Sequence, residues 1–195
     1  MNYEPPTMNA RTAYSLAMRY AKLDAALRFM VDAHAGQERD GDDPLPYAFH
    51  PFEVATNLRV VGGVTDEDLL CAAILHDVLE ETEASAEGIE THFGERVREL
   101  VEELTREEPD AATREKLDKD ALWQLRADLL IEEIGKMSPE AQSVKLADRL
   151  SNVRDAKRTK PPKKRDRYVA QTVRILDTVP RKVNPKLWDA IKKEV

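Results

Sequence analysis

A single cysteine, Cys71, stands in the 195 residues, which excludes an intramolecular disulfide and a zinc-thiolate site. Seven Gly and eleven Pro are too few for a linker-rich or fibrous chain. No stretch approaches the ~18 consecutive apolar residues of a membrane-crossing helix. The opening residues, Met1 to Met8, include Glu4 and carry no basic or apolar block, so no signal peptide is expected there. No run alternates apolar and polar residues long enough for a strand, and no repeat recurs at solenoid periods. What is present is 42% apolar and 34% charged residues, the balance of a highly charged globular protein. At this length one domain buries roughly 70% of its unfolded surface and needs no staples. A cytoplasmic protein with one domain over residues 1–195 is the expectation.

The net charge of −7 hides a polarity along the chain. Residues 151–195 carry 14 basic and 5 acidic side chains, a net of +9, against 16 basic and 32 acidic, a net of −16, in the rest. An acidic body disfavours nucleic acid as a partner, because phosphate backbones attract basic faces. The basic end is densest at Lys157, Arg158, Lys160, Lys163, Lys164, Arg165 and Arg167. It reads as a solvated loop around Pro161-Pro162, or else as a face for an acidic neighbouring subunit of a homo-oligomer or for a phosphate-rich ligand.

Helical spacing dominates the apolar pattern. Leu23, Ala26, Leu27, Met30 and Val31 recur at three and four and lead to His34; Gly36 and the turn-rich Asp40-Gly41-Asp42-Asp43-Pro44 stop that helix. His50-Pro51 opens a segment that Gly62-Gly63 closes. Thr65 with Asp68 predicts the cap of a helix through Leu69, Leu70, Ala73 and Ile74. Ile89, Phe93, Val97, Leu100, Val101 and Leu104 make a further stripe, bent at Gly94. Leu117, Ala121, Leu125 and Leu129 continue it through the charged residues 106–135, a long helix or a flap. Ser138-Pro139-Glu140 caps a segment through Val144, Ala147 and Val153. Tyr168, Val169, Val173 and Leu176 predict a helix before Pro180, and Leu187, Trp188 and Ile191 a short last one. The predicted fold class is all-α.

Chemistry concentrates in a few places. His76-Asp77 ends the apolar run Leu70-Cys71-Ala72-Ala73-Ile74-Leu75, where burying an imidazole and a carboxylate is costly without compensation. A divalent cation compensates both, taking neutral imidazole and ionised carboxylate as ligands. Glu80 lies four residues beyond His76 and Glu81 four beyond Asp77, which on one helix would stack each carboxylate over its partner. Asp148, Asn152 and Asp155 follow an i, i+4, i+7 stripe along the Ser138 helix, and His50 stands at the mouth of another. Taken singly, each has a plainer explanation: Asp148 has Lys145 and Arg149 nearby to pair with, and Glu80 and Glu81 suit a solvated face. His92 reads as a partly exposed helix residue, Cys71 as core, and Trp123 and Trp188 as packing.

Four blocks stand in order: Ala33-His34-Ala35-Gly36-Gln37-Glu38-Arg39; Pro46-Tyr47-Ala48-Phe49-His50-Pro51; Leu75-His76-Asp77-Val78-Leu79-Glu80-Glu81-Thr82; and Val144-Lys145-Leu146-Ala147-Asp148-Arg149-Leu150-Ser151-Asn152-Val153-Arg154-Asp155. With His92-Phe93-Gly94 they resemble the HD-domain hydrolases of the RelA/SpoT family, nearest the stand-alone small alarmone hydrolases that include the animal-type enzyme. The resemblance covers roughly residues 20–180 and leaves no room for the family's synthetase domain, so hydrolysis alone is expected.

The resemblance implies a single all-helical HD-domain bundle holding one Mn²⁺. It matches the metal ligands to His50, His76, Asp77 and Asp148, and the water-activating acidic pair to Glu80 and Glu81. Asn152 matches an asparagine near the ribose and phosphate, Arg39 an arginine beside the base, and Lys145 is a candidate phosphate contact. His34 matches a histidine that is not a ligand. The implied reaction removes the 3′-pyrophosphate of guanosine tetra- or pentaphosphate, (p)ppGpp, giving GDP or GTP and pyrophosphate. Two departures stand out. Glu81 replaces the family's usual Asp, and Asp40 follows Arg39 where relatives often carry lysine, which predicts looser base discrimination. The same metal set would also suit an adenosine alarmone or the 2′-phosphate of NADPH. A catalytically silent, nucleotide-binding regulatory HD domain is the reading from another class.

Overall fold

The computed structural model describes residues 20–39 and 44–195; Asp40, the departure named above, lies outside them. Eleven α-helices run in chain order among the described residues. They are α1 (Ala21–Ala33), α2 (Phe49–Thr56), α3 (Glu67–Leu75), α4 (Val78–Glu81), α5 (Ala86–Phe93), α6 (Glu95–Leu104), α7 (Ala111–Lys116), α8 (Lys119–Lys136), α9 (Pro139–Thr159), α10 (Pro162–Thr178) and α11 (Pro185–Lys192). A π-helical turn, Asn57–Val61, prolongs α2, and a 3₁₀ turn, Arg181–Val183, precedes α11. The described residues contain no strand, only an isolated bridge between Glu38 and Pro46. No helix among them is long and apolar enough to cross a membrane.

The longest helix is also the central one. Ser138 caps α9 by accepting a hydrogen bond from the Ala141 N–H (3.2 Å), and Pro139 takes the first turn, where its missing N–H costs nothing. Ala141, Val144, Leu146, Ala147, Leu150 and Val153 are fully buried and point several ways round the axis, as in a helix enclosed by neighbours. Those neighbours are α2 with its π turn, α3, α6, α10 and α11. The apolar run of α3 is enclosed just as fully, from Leu69 to Leu75. Gly62 ends the π turn where an added Cβ would meet Leu58 O at 2.6 Å and the Asn184 side chain at 2.9 Å, so glycine is what lets the start of α11 close on it.

Several expectations shift in detail. The cap of α3 is Asp66, which accepts from the Leu69 N–H at 2.9 Å, rather than a Thr65–Asp68 pair, and Asp68 instead pairs with Lys22. Val31 is half exposed, because α1 turns Ala26 and Met30 to the core. The stripe Ile89–Leu104 is split into α5 and α6 by Gly94, whose φ of 90° ends one helix and starts the next. Residues 106–135 form no single long helix: 106–110 are irregular, and α7 and α8 follow with a break at Leu117-Asp118. The basic residues around Pro161-Pro162 lie largely on helices, and several are paired: Lys157 with Glu194, and Lys163 and Arg167 with Asp120.

Candidate active site

His76 sits where α3 stops, and Asp77 follows in the short break before α4. His76 and Glu80 therefore do not share one continuous helix, as their spacing suggested. The His76 ring reaches back so that Nδ1 lies 2.9 Å from Ala73 O. A carbonyl only accepts, so Nδ1 carries the proton and Nε2 is left with its lone pair. That Nε2 faces Asp77 Oδ1 at 3.0 Å and Asp148 Oδ1 at 4.0 Å. His50, at the start of α2, repeats the arrangement. The Ser151 hydroxyl donates to Glu53 (2.7 Å), which leaves its oxygen to accept from His50 Nδ1 at 3.2 Å. His50 Nε2 then points at Asp148 Oδ1 (3.3 Å) and Asp77 Oδ2 (3.6 Å).

Two imidazoles thus present bare nitrogens to two carboxylates, all four side chains nearly enclosed. Lone pairs so placed repel unless a proton or a cation lies between them. Ligand atoms of His50, His76 and Asp148 all fall within 4.8 Å of one another, close enough for one ion to reach all three. The donor chemistry fits a divalent cation that accepts mixed nitrogen and oxygen ligands. With no cation bound, the same groups settle their charges among themselves. Burial opposes charging of the His76 ring, but Asp77 and then Asp148 outweigh it and hold its pKa above the usual imidazole value. Burial would likewise raise Asp77 and Asp148, yet the neighbouring imidazoles keep both below the usual carboxylate range. Tyr47 donates to Asp77 Oδ2 at 2.6 Å; burial and then that carboxylate push its phenol far up, so it stays a donor.

The acidic pair divides. Glu80 is clamped by Arg106, whose backbone N–H, Nε and Nη2 lie 2.8, 2.9 and 2.7 Å from its carboxylate. Glu81 instead lines a cavity of about 720 Å³. His50, Asp77, Asp148, Arg39, Lys145 and Asn152 line the same cavity, with His76 buried behind them. Seven of the nine site residues singled out from the sequence thus line one cavity, while Glu80 lines a neighbouring one beside Phe29 and Thr82, which Glu81 also borders. Arg39 pairs with Asp155 at 3.2 Å across the cavity wall, and Asn152 donates its amide to Asp148. Asp148 makes no ion pair with Lys145 or Arg149, the neighbours that its position in the helix offered; its carboxylate turns to His50 and Asn152.

Sequence reasoning did not single out Tyr47, Glu53, Ser151 or Arg106. Tyr47 and Ser151 lie inside quoted blocks, where a polar side chain within an apolar run was the available signal. Arg106 carried none, since its contact with Glu80 spans 26 residues. Trp123 also does more than pack. It lines the cavity, and the Arg167 guanidinium lies over its ring at 5.1 Å. His34 stays outside the ligand group, its Nδ1 2.8 Å from Gln37 Oε1 and its ring tilted over Tyr47. His92 is exposed beside Phe29, and Cys71 is buried, its thiol pushed up to about 12 by that burial.

An all-helical bundle that carries a buried His-Asp pair, with further His and Asp donors closing round it, defines a class of metal-site domains. The HD domain family model matches residues 26–177, and the chain belongs to that family. It is 41% identical over 136 residues to guanosine-3′,5′-bis(diphosphate) 3′-pyrophosphohydrolase MESH1 of Xenopus tropicalis, covering 70% of each chain. To the Homo sapiens protein of the same name it is 40% identical over 141 residues, 72% of this chain and 73% of that one. A solved structure of a metazoan ortholog of SpoT that hydrolyzes ppGpp and plays a role in starvation responses matches with a TM-score of 0.77 and 35% identity, covering 89% of this chain and 93% of that chain.

Proposed function

We propose that this protein hydrolyses the 3′-pyrophosphate of guanosine tetra- or pentaphosphate, with one Mn²⁺ held by His50, His76, Asp77 and Asp148. The observation that carries the reading is the pair of imidazole Nε2 atoms turned toward two shared carboxylates at one end of a nucleotide-sized cavity. The relatives whose names state this reaction cover most of the chain and support the substrate class.

A bound divalent ion supplies Lewis acidity and a water of lowered pKa. The remaining work falls to the chain. Glu81, whose carboxylate is not tied up by an arginine, takes the proton of the attacking water. Glu80, locked by Arg106, orients the end of α4 on which Glu81 stands. Tyr47 and Asn152 hold Asp77 and Asp148 in place, and Ser151 and Glu53 hold His50. The water oxygen bonds to the phosphorus next to the ribose 3′-oxygen, that P–O bond breaks, and pyrophosphate leaves as the 3′-oxygen takes up a proton. Arg39 and Lys145 would bind the nucleotide's base or phosphates, guanidinium being suited to both stacking and paired oxygens.

Purified protein with Mn²⁺, offered guanosine tetraphosphate, should release GDP and pyrophosphate in equal amounts. Adenosine alarmones and NADPH form the competing arms. Release of inorganic phosphate from NADPH with no turnover of the guanosine substrate would replace this reading by the 2′-phosphatase one. Binding without turnover of any of them would leave the silent regulatory domain.

A further inference from the structure

Cations around the cavity are not all treated alike. Arg39 is paired with Asp155, Arg106 with Glu80, and Arg126 with Glu108. Lys145 and Arg149, one turn apart on α9, are each only 5% exposed and line the same cavity. Neither forms an ion pair within 4.0 Å among the described residues. Arg149 Nε and Nη1 are buried with no hydrogen-bond partner at all. The face of Tyr168 lies against it, its ring centre 6.0 Å from the guanidinium carbon, and Asp148 and Arg106 are its charged neighbours.

An enclosed guanidinium with unfilled donors is costly, and a lysine beside it with the same sign adds to the cost. The arrangement is stable only against an occupant that brings negative charge and several acceptor oxygens. Phosphate does both, and its paired oxygens match the guanidinium fork. The His-Asp set occupies one end of the cavity, and Lys145 lies near enough to it to oppose the charging of His76. Arg149, next to Asp148 in the chain, also lies against Tyr168. Asp148 turns its carboxylate to His50 and Asn152, so the open donors of Arg149 remain for a second phosphate.

We propose that Arg149, with Lys145, forms a second phosphate subsite that takes the 5′-phosphate chain of the nucleotide whose 3′-pyrophosphate reaches the His-Asp set. This rests on the hydrolase reading above and adds to it a requirement for a 5′-phosphorylated substrate. Guanidinium–phosphate bonds of this kind hold roughly 10- to 100-fold in affinity.

The test uses full-length protein without added metal and reads binding by calorimetry, so it does not depend on turnover. GDP has the 5′-diphosphate but no 3′-group; guanosine has neither; inorganic pyrophosphate stands for the product. Wild type should bind GDP at least ~10-fold more tightly than guanosine. Arg149→Met and Lys145→Met should each lose most of that difference, and Arg149→Lys should recover part of it. Two separate positions keep the test decisive even if one variant folds poorly. Variants that bind GDP as wild type does would overturn the proposal. A loss confined to pyrophosphate, with GDP unaffected, would overturn it too, by making this a product site. If wild type binds GDP as expected yet hydrolyses no guanosine alarmone, the subsite stands and the hydrolase reading falls.

Discussion

At the scale of single residues, two adjacent glutamates of one type are given different work by what touches them. The Arg106 fork occupies the Glu80 carboxylate, while Glu81 lines the cavity that holds the His-Asp set. Glu81→Gln should therefore slow kcat by ~10²-fold or more with metal content unchanged, as loss of a general base does. Glu80→Gln keeps two acceptor or donor atoms in place and should cost less than ~10-fold in kcat. Single-turnover rates beside metal analysis separate the two, and the reverse ranking would exchange their roles. Ser151→Ala leaves every ligand intact but frees the His50 ring, and metal affinity should fall ~10- to 100-fold. Unchanged affinity in a competition titration would show that Ser151 does not orient His50. His76 and Asp77 stood out in the sequence because imidazole and carboxylate beside an apolar run are expensive, while His50 and Asp148 were matched as ligands through the ordered blocks of the resemblance. Their supports were not, since Ser151 and Glu53 are ordinary until folding brings them together across 98 residues.

At the scale of elements, helix existence was readable and helix joints were not. The apolar spacing of α1, α6 and α10 fixed their identity, because one buried face per helix leaves a periodic mark. The break at His76-Asp77 left no such mark. Both flanks are apolar, and the ring's hydrogen bond to Ala73 O is a three-dimensional event that the i, i+4 spacing could not show. The bend at Gly94 was readable, since only glycine tolerates its backbone. At φ 90° and ψ 165° a side chain is strained even though an added Cβ would meet no atom within 4 Å. Gly94→Ala should cost ~1–3 kcal/mol in chemical denaturation, wholly from conformation. A neutral result would mean that the α5–α6 joint relaxes freely.

At the scale of the whole molecule, the buried polar centre makes stability depend on pH, with opposite signs for the two kinds of group. His76 is held above its ordinary value of 6.5, so in metal-free protein it binds a proton more tightly folded than unfolded. That stabilisation is complete below 6.5 and is lost as pH rises through the folded pKa. Asp77 and Asp148 are held below 3.8, so their contribution is present above that value and disappears as pH falls through their folded pKa values. Metal-free protein should therefore be most stable in the acid-to-neutral window between these limits and should soften on the alkaline side. A metal ion replaces the imidazole proton and needs the bare nitrogen, so its protection should grow over the range where the proton's fades. Thermal unfolding from about pH 5 to 8, with Mn²⁺ or with chelator, reads both effects. The gap in Tm between the two should widen with pH. A gap that narrows, or chelated protein that gains stability above neutrality, would show that the His76 proton is not what balances the two carboxylates.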